Sequence, residues 1–326
     1  LFLDFLEITG PVKLPTYGVT ISKDNFMEQV QTTTSISYNK DLNQPKQLLA
    51  DLYPVLMQRL GELTKGQPLV FLSLLQQNLA EKNILIYSRN PELQAQFVKN
   101  RWSGEVTPSN GDYLQLNSSN LNGSKTDRSL IRQAELTTTI DTDGTVTNQL
   151  MYKVENPLPA LDGLTNRSWL RIFVPEGSKL VGVSGFTDFQ PLPLPENINY
   201  TTSPAIVEWE HNLTHDQSKQ MFIGKEAGKT FFANWLEIPG GQSQTISVTY
   251  QLPQKLTGDI AAYKLLWEKQ SGMIDLQAKQ DVLFPGRDLR WTNLSLSQAS
   301  PANNEQKVSW QKLLTTDHYG GVVLTR

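Results

Sequence analysis

The sequence contains no cysteine among its 326 residues. That absence excludes disulfide bonds, thiolate metal ligands and a cysteine nucleophile. A chain of this length can bury enough apolar surface to fold without covalent cross-links. Both bacterial extracytoplasmic proteins and cytosolic proteins can lack cysteine, so this absence alone does not identify the compartment.

The sequence also lacks long apolar runs and a strong excess of charge. No stretch reaches the roughly 18–20 consecutive apolar residues that a membrane-spanning helix needs. The net charge is only −3, so we expect no nucleic-acid partner and no direct attraction to an anionic membrane. The chain starts at Leu1 without a signal-peptide pattern, and we interpret it as truncated upstream, with any membrane anchor in the missing part.

Residues 1–108 have the spacing of helices that cover a sheet. Short apolar runs between Phe2 and Ile21, broken by glycine and proline, predict strands, and Ile84–Tyr87 predicts a short buried strand. Three other segments have helical periodicity or helix-start signals: Leu48–Leu60, Pro68–Leu79 and Asn90–Asn100. This alternation predicts an α/β segment, residues 1–108, with helices on a sheet.

Residues 109–326 show the two-residue alternation of strands. Leu136–Ile140 and Val146–Val154 flank the turn residues Asp141–Gly144, which predicts a hairpin. The proline-rich stretch 186–204 predicts a surface loop. We predict further strands at Trp169–Val174, Phe231–Ile238, Thr245–Leu252, Ala262–Lys269, Met273–Phe284 and Val308–Leu314. The fold class is therefore α+β, an α/β segment followed by an antiparallel β-sandwich-like domain.

Several short patterns resemble ligand sites. Gly224–Thr230 ends in Gly-Lys-Thr, but its glycine spacing and the strand after it favour a β-turn over a phosphate loop. His211 and His215 have the spacing of two zinc ligands on a helix, although their polar surroundings favour a solvated loop. Four tryptophans at strand positions favour core packing, with sugar stacking as the alternative: Trp169, Trp235, Trp267 and Trp291. We expect no metal site and no cofactor.

Polar residues are densest just after the predicted domain boundary. The candidate ligand-binding residues are Asp112, Asn117, Asn120, Lys125, Asp127 and Arg128. Asn122 and Arg132 lie in the same stretch. Two interpretations stay open. These side chains could fix a domain junction through ion pairs and hydrogen bonds, or the basic ones could hold a carboxylate, a sugar phosphate or a pyrophosphate.

Six short strings occur in order along nearly the whole chain: Ile8–Val12, Trp102–Gly104, Asp112–Leu114, Asn120–Asp127, Leu170–Ser178 and Lys269–Gly272. Together they resemble the bacterial family called domain of unknown function 4012. The resemblance implies an envelope-associated protein with an upstream transmembrane helix and an exported body. The first segment also resembles, distantly, the LytR-CpsA-Psr enzymes, which transfer lipid-linked glycopolymers onto the cell wall. Their catalytic arginines and aspartates have no match here, so no catalytic residue is carried over.

Two functional hypotheses follow. The first is a non-catalytic extracytoplasmic module of the cell surface or envelope, with a role in display, adhesion or envelope organisation. Its expected partner is a cell-wall polymer or another surface protein. The alternative is a LytR-CpsA-Psr-like transferase, which would hold a polyprenyl pyrophosphate beside basic side chains with the help of a metal ion.

Overall fold

A computed structural model describes residues 2–33, 46–121, 125–161, 163–187, 199, 201, 203–211, 213–273, 275–296 and 307–326. The chain divides into two compact units, Leu1–Gly104 and Glu105–Arg326. We call them the N-terminal unit and the C-terminal unit. The sequence places this division between residues 108 and 109. Asn122 and most of the proline-rich stretch 186–204 lie outside the described residues.

The N-terminal unit is mostly helical. Its helices are α1 (Phe2–Thr9), α2 (Phe26–Gln31), α3 (Gln47–Gly61), α4 (Gln67–Ala80) and α5 (Pro91–Lys99), and its one described hairpin joins β1 (Val12–Leu14) to β2 (Val19–Ile21). The side chains that α3 buries repeat every four residues and pack on α1 and the hairpin. This small core comprises Phe5, Leu6, Val12, Leu14, Ile21, Phe26, Leu48, Leu52 and Leu56.

Two predicted strands of this unit are wrong. The first residues form helix α1, which buries Phe5 and Leu6 and ends before Gly10 at φ 75° and Pro11. A short apolar run fits either a helix or a strand, and here the packing of α1 against α3 decides. Ile84–Tyr87 is irregular, with Ile86 N–H donating to the Trp102 carbonyl at 2.7 Å. Among the described residues of this unit, only the hairpin is sheet.

The C-terminal unit is a β-sandwich. Its strands are β3 (Asp112–Asn120), β4 (Ile131–Ile140), β5 (Val146–Glu155), β6 (Asn166–Pro175), β7 (Lys179–Ser184), β8 (Thr214–Asp216), β9 (Met221–Glu226), β10 (Lys229–Ile238), β11 (Ser243–Gln251), β12 (Ile260–Trp267), β13 (Leu276–Leu283), β14 (Asp288–Thr292), β15 (Ser295–Leu296), β16 (Lys307–Leu313) and β17 (His318–Thr325). Helix α6 (Pro204–His211) precedes β8. One sheet has the order β14-β17-β12-β3-β6-β10-β9-β8, and the other has the order β15-β16-β13-β4-β5-β11-β7. The α+β class with a sandwich-like region is therefore confirmed.

The centre of the sandwich consists of two similar strand quartets. In the first quartet, β3 and β6 pair in the eight-stranded sheet while β4 and β5 pair in the seven-stranded sheet. The second quartet repeats this arrangement with β12 and β17 in one sheet and β13 and β16 in the other. The quartets meet through the parallel pairs β3–β12 and β4–β13. The sandwich is thus mixed, although the sequence predicts antiparallel strands alone.

The predicted hairpin and the six further predicted strands are confirmed, as β4–β5 and as β6, β10, β11, β12, β13 and β16. Gly144 in the hairpin turn has φ 83°, and a Cβ atom there would lie 2.1 Å from the Leu256 carbonyl oxygen. Only glycine fits this turn without strain. Asp143 accepts hydrogen bonds from Thr145 and pairs with Lys255, so this carboxylate stabilises the turn.

The main core lies between the two sheets. Trp267, Tyr152, Tyr250 and Phe232 are among its largest fully buried side chains. Along β5, buried Leu150 alternates with exposed Met151. This alternation places one face of each sheet in the main core. The outer face of the eight-stranded sheet carries a second, smaller buried cluster that comprises Tyr113, Phe173, Phe231, Ala233 and Leu266.

Replacement of Leu150 by alanine should lower the free energy of unfolding of the C-terminal unit by about 2–5 kcal/mol, because it leaves a cavity between the sheets. Replacement of the neighbouring Met151, which is 47% exposed, should change it by less than about 0.5 kcal/mol. Urea titration followed by tryptophan fluorescence measures both, since six of the seven tryptophans lie in this unit. Equal effects of the two substitutions would contradict the assigned inner face.

Candidate functional site

The predicted site residues lie in three different places. Asp112 and Asn117 are both on β3, but Asp112 faces the interior while Asn117 is half-buried beside Arg171. Asn120 ends the same strand. Asp127 and Arg128 lie in a 3-10 turn before β4, and Lys125 is exposed just ahead of it. The candidate residues are therefore close in sequence but lie apart in the folded structure.

Asp112 is a buried carboxylate between the sheets. Asn148 Nδ2 on β5 and the Tyr263 hydroxyl on β12 each donate to its Oδ2 at 2.7 Å. The Tyr113 N–H donates to its Oδ1 at 2.7 Å. The Tyr263 oxygen also lies 3.2 Å from Thr138 Oγ1. These contacts bridge both sheets, which indicates a structural role for Asp112.

Burial raises the pKa of the Asp112 carboxyl group to about 6, although its three hydrogen bonds act in the opposite direction. Desolvation disfavours the charged form of a carboxyl group, and no cation among the described residues hydrogen-bonds to this carboxylate. The folded protein therefore binds a proton at Asp112 more readily than the unfolded chain does. This group makes folding more favourable below about pH 4 than above pH 6.

Arg132 organises the second place, which we call the ion cluster (Asp127, Arg132 and Asp275). Arg132 Nη1 donates to both oxygens of Asp275 at 2.8 and 2.7 Å. Its Nη2 donates to the backbone carbonyl and to Oδ1 of Asp127 at 3.1 and 3.2 Å. The side chain of Arg132 is only 7% exposed. The cluster ties the turn before β4 to the segment before β13.

The ion cluster borders a cavity of about 320 Å³, lined by Ser118, Asp127, Arg128, Arg132, Gln270 and Asp275, among others. The side-chain amide of Gln270 pairs with the backbone of β3 as a neighbouring strand would. Its Oε1 accepts from the Ser118 N–H at 2.9 Å, and its Nε2 donates to the Ser118 carbonyl at 3.0 Å. Two of the strings that carry the family resemblance thus meet at this cavity.

The other sequence patterns have structural explanations. Gly224–Thr230 forms the hairpin between β9 and β10, with Ala227 and Gly228 at φ 50° and 68°, so it is a β-turn as favoured. Lys229 is buried: its Nζ donates to Ser109 Oγ at 2.9 Å and lies 4.3 Å from the centre of the Tyr113 ring. Desolvation lowers the pKa of Lys229.

The two-histidine pattern does not form a helical zinc site. His211 ends α6, whereas His215 lies on strand β8. The favoured alternative, a loop, is also wrong for His215, because β8 pairs with β9. In the described ranges, no group of three or more His, Asp or Glu residues could hold a metal ion.

A separate group of aromatic side chains contains none of the six candidate ligand-binding residues. Four rings contact one another across β6, β10, β9 and β8, and we call Trp169, Trp235, Phe222 and His215 the aromatic cluster. Trp169 lies directly opposite Trp235, with ring centroids 5.2 Å apart. The centroid of Phe222 lies 5.3 Å from that of Trp169 and 4.4 Å from that of His215.

The aromatic cluster lies on the outer face of the eight-stranded sheet. On β10 the inward Phe232 and Leu236 belong to the main core, so Trp235 points to the other side. Trp169, Phe222 and Trp235 are half-buried and His215 is exposed. Trp267, by contrast, is fully buried, as core packing predicts, whereas Trp291 is 55% exposed. Residues 214–220 are all polar, so the sequence carries no strand signal that would indicate the positions of His215 and Phe222.

Two concave regions adjoin the aromatic cluster. The larger one, about 950 Å³, we call the edge groove; it lies beside β7, and its lining includes Thr187, His215, Gln220, Phe222, Asn234 and Trp235. The smaller one, about 420 Å³, lies between α6 and the sheet, where Arg171 pairs with Glu226 at 2.8 Å. A volume of 950 Å³ is near the upper end of typical ligand sites, about 300–1,000 Å³.

The raised pKa of Asp112 predicts a pH effect on stability. Between pH 4 and pH 7 the wild-type protein should lose roughly 2 kcal/mol of unfolding free energy through this group, and Asp112→Asn should remove that loss. Urea titrations at both pH values measure the difference. Asp288→Asn, at an exposed position on β14, should keep the wild-type dependence. An unchanged pH dependence in Asp112→Asn would contradict the assignment.

The ion cluster gives a test of its two interpretations. If it is structural, Arg132→Ala should lower the free energy of unfolding by about 1.5–3 kcal/mol, because hydrogen bonds to charged groups are lost. Arg128→Ala, at an exposed position four residues earlier, should change it by less than about 0.5 kcal/mol. Thermal and urea unfolding measure both. An equally small effect of both substitutions would favour the ligand-binding interpretation.

Comparisons with known proteins leave the family open. No family model matches the chain, and no curated protein matches it. Among solved structures, a candidate nutrient-binding protein from Legionella pneumophila is 10% identical, with a TM-score of 0.38 over 66% of this chain and 71% of that one. An M1 zinc metallopeptidase from Deinococcus radiodurans (9%, TM-score 0.30, 60% and 42%) and the folded domain of Mycobacterium tuberculosis LppM (11%, TM-score 0.25, 60% and 90%) are also similar. This chain is thus similar to each of them only at TM-scores below 0.5.

Proposed function

We propose that this chain is a non-catalytic extracytoplasmic module of the bacterial cell envelope, related to the domain of unknown function 4012 family, and that it binds a cell-wall polymer or another surface protein. None of the helices formed by the described residues is long and apolar enough to cross a membrane.

The observation that carries the proposal is the position of the aromatic cluster. The inner faces of both sheets form the main core, whereas Trp169 and Phe222 pack against a second, smaller buried cluster on the outer face of the eight-stranded sheet. Trp169, Trp235 and Phe222 lie together on this outer face and are only half-buried. Clustered aromatic side chains on a surface are typical of binding sites.

The charged side chains support this proposal over the transferase alternative. A transferase of the LytR-CpsA-Psr type would use basic groups to neutralise a diphosphate. Here Arg132 pairs with Asp127 and Asp275, and Arg171 pairs with Glu226. A diphosphate at either arginine would have to displace carboxylates that are already bound.

Co-sedimentation with isolated bacterial cell walls tests the proposal. The wild-type protein should pellet with the walls, and Trp169→Ala should reduce the bound fraction at least fivefold because it removes the centre of the aromatic cluster. Trp291→Ala, an exposed tryptophan on β14 at the opposite edge of the same sheet, should bind like the wild type. Circular dichroism confirms that both variants are folded.

Two results would contradict the proposal. One is the absence of wall binding by the wild-type protein. The other is a rise in melting temperature with undecaprenyl phosphate and Mg²⁺ that Arg132→Ala abolishes in a folded protein, since a ligand of the native state raises its stability. That second result would favour the transferase.

A further inference from the structure

We propose that the edge groove binds a saccharide chain, with the rings of Trp235, Phe222 and His215 as its stacking surface. This inference rests on the proposed function and narrows its partner to the polysaccharide part of the cell wall. Sugar rings present apolar C–H faces and polar hydroxyl edges, so a site for them needs exposed aromatic surface next to neutral hydrogen-bonding groups. The edge groove combines both.

The aromatic cluster is long enough for several sugar rings. It crosses four neighbouring strands in the order β6-β10-β9-β8. Adjacent strands lie about 4.8 Å apart, so the four rings extend about 14 Å across the sheet, and the three on β10, β9 and β8 extend about 10 Å. Three of the four rings, all except Trp169, line the edge groove. An extended chain could therefore contact consecutive rings along the groove.

The polar groups of the groove are mostly neutral. Gln220, Asn234 and Thr187 contribute amides and a hydroxyl group. Gln217 Nε2 donates to His215 Nδ1 at 2.8 Å, which leaves the proton of the neutral imidazole on Nε2 as a further donor. The one lysine of the lining, Lys219, pairs with Asp216 at 3.0 Å. A lining of this kind suits hydroxyl groups better than a phosphate or a carboxylate.

One wall of the groove is backbone. Strand β7 is the last strand of the seven-stranded sheet among the described residues, and its Gly182, Val183 and Ser184 line the groove. An edge strand presents N–H and C=O groups that its own sheet does not use. These groups can donate to and accept from sugar hydroxyls opposite the aromatic surface.

A proline-rich peptide is the competing occupant, because such peptides also dock on aromatic side chains. They insert proline rings into slots between separate aromatic ridges. Phe222 and His215, which both line the groove, have ring centroids 4.4 Å apart and ring planes inclined by only 30°, so they form one surface without such a slot. The geometry thus favours a flat sugar face over a proline ridge.

Titration with chitotetraose and cellotetraose, followed by calorimetry and tryptophan fluorescence, tests the inference, together with binding to cell walls stripped of protein. We expect saturable binding to at least one of these three probes. Trp235→Ala should weaken it at least tenfold, whereas Trp235→Phe should retain most of it. His215→Ala should weaken saccharide binding about threefold. Because His215 is exposed, this variant provides a test even if Trp235→Ala does not fold. Trp291→Ala is the matched control and should bind like the wild type.

The inference is overturned if none of the three probes binds, or if binding is the same in wild type, Trp235→Ala and His215→Ala. Its failure differs from failure of the proposed function. If intact walls bind but protein-stripped walls and both sugars do not, the partner is a surface protein and the envelope role stands. Binding of decaproline that Trp235→Ala weakens, without sugar binding, would likewise replace the saccharide with a peptide.

Discussion

The carboxylate of Asp112 is the constraint around which the sandwich is arranged, because a charged group between two sheets must be supplied with hydrogen-bond donors. The donors come from β5 in one sheet and from β12 and the β3 backbone in the other. A shift of any of these strands by one residue would turn its donor away from Asp112. The contact therefore helps to fix how the two quartets align along their parallel pair β3–β12.

The main core and the residues that we propose to bind a ligand lie on different faces of the eight-stranded sheet. Side chains that point inward from both sheets form the main core and the polar contacts around Asp112. The ion cluster adds a further tie at the turn before β4. The outer face of the eight-stranded sheet carries the aromatic cluster, where we propose that binding occurs. Substitutions at Trp235 or His215 can then change a ligand without disturbing the core.

Local signals in the sequence predicted much of the fold. The hairpin at Gly144 follows from turn residues between alternating runs, and α5 follows from Asn90, whose side chain accepts from the N–H groups of Glu92 and Leu93. Helix α1 was missed because a short apolar run fits two structures. Strand β3 was missed because its Asp and Asn residues are rare in strands, and only tertiary contacts make them favourable there.

The candidate site was harder to predict, since it depends on strand order. Trp169 and Trp235 are far apart in the chain and become opposite neighbours only because β6 pairs with β10. His215 and Phe222 join them through the short hairpin β8–β9. Its residues are mostly polar, which is typical of a loop. The polar stretch from Asp112 to Arg128 looked like one site because its residues are adjacent in sequence. Alternation along β3 instead sends Asp112 and Asn117 to opposite faces of the sheet, and Asp127 and Arg128 lie in a separate turn.

The duplicated quartet architecture has a consequence for how this protein could diversify. All of β7 to β11 lies between the last strand of the first quartet and the first strand of the second. That intervening segment supplies three of the four rings of the aromatic cluster, while the framework supplies only Trp169. The same segment also supplies Phe232 and Tyr250 to the main core, so a change of its outward side chains and turns can alter the surface while the inward residues must be kept.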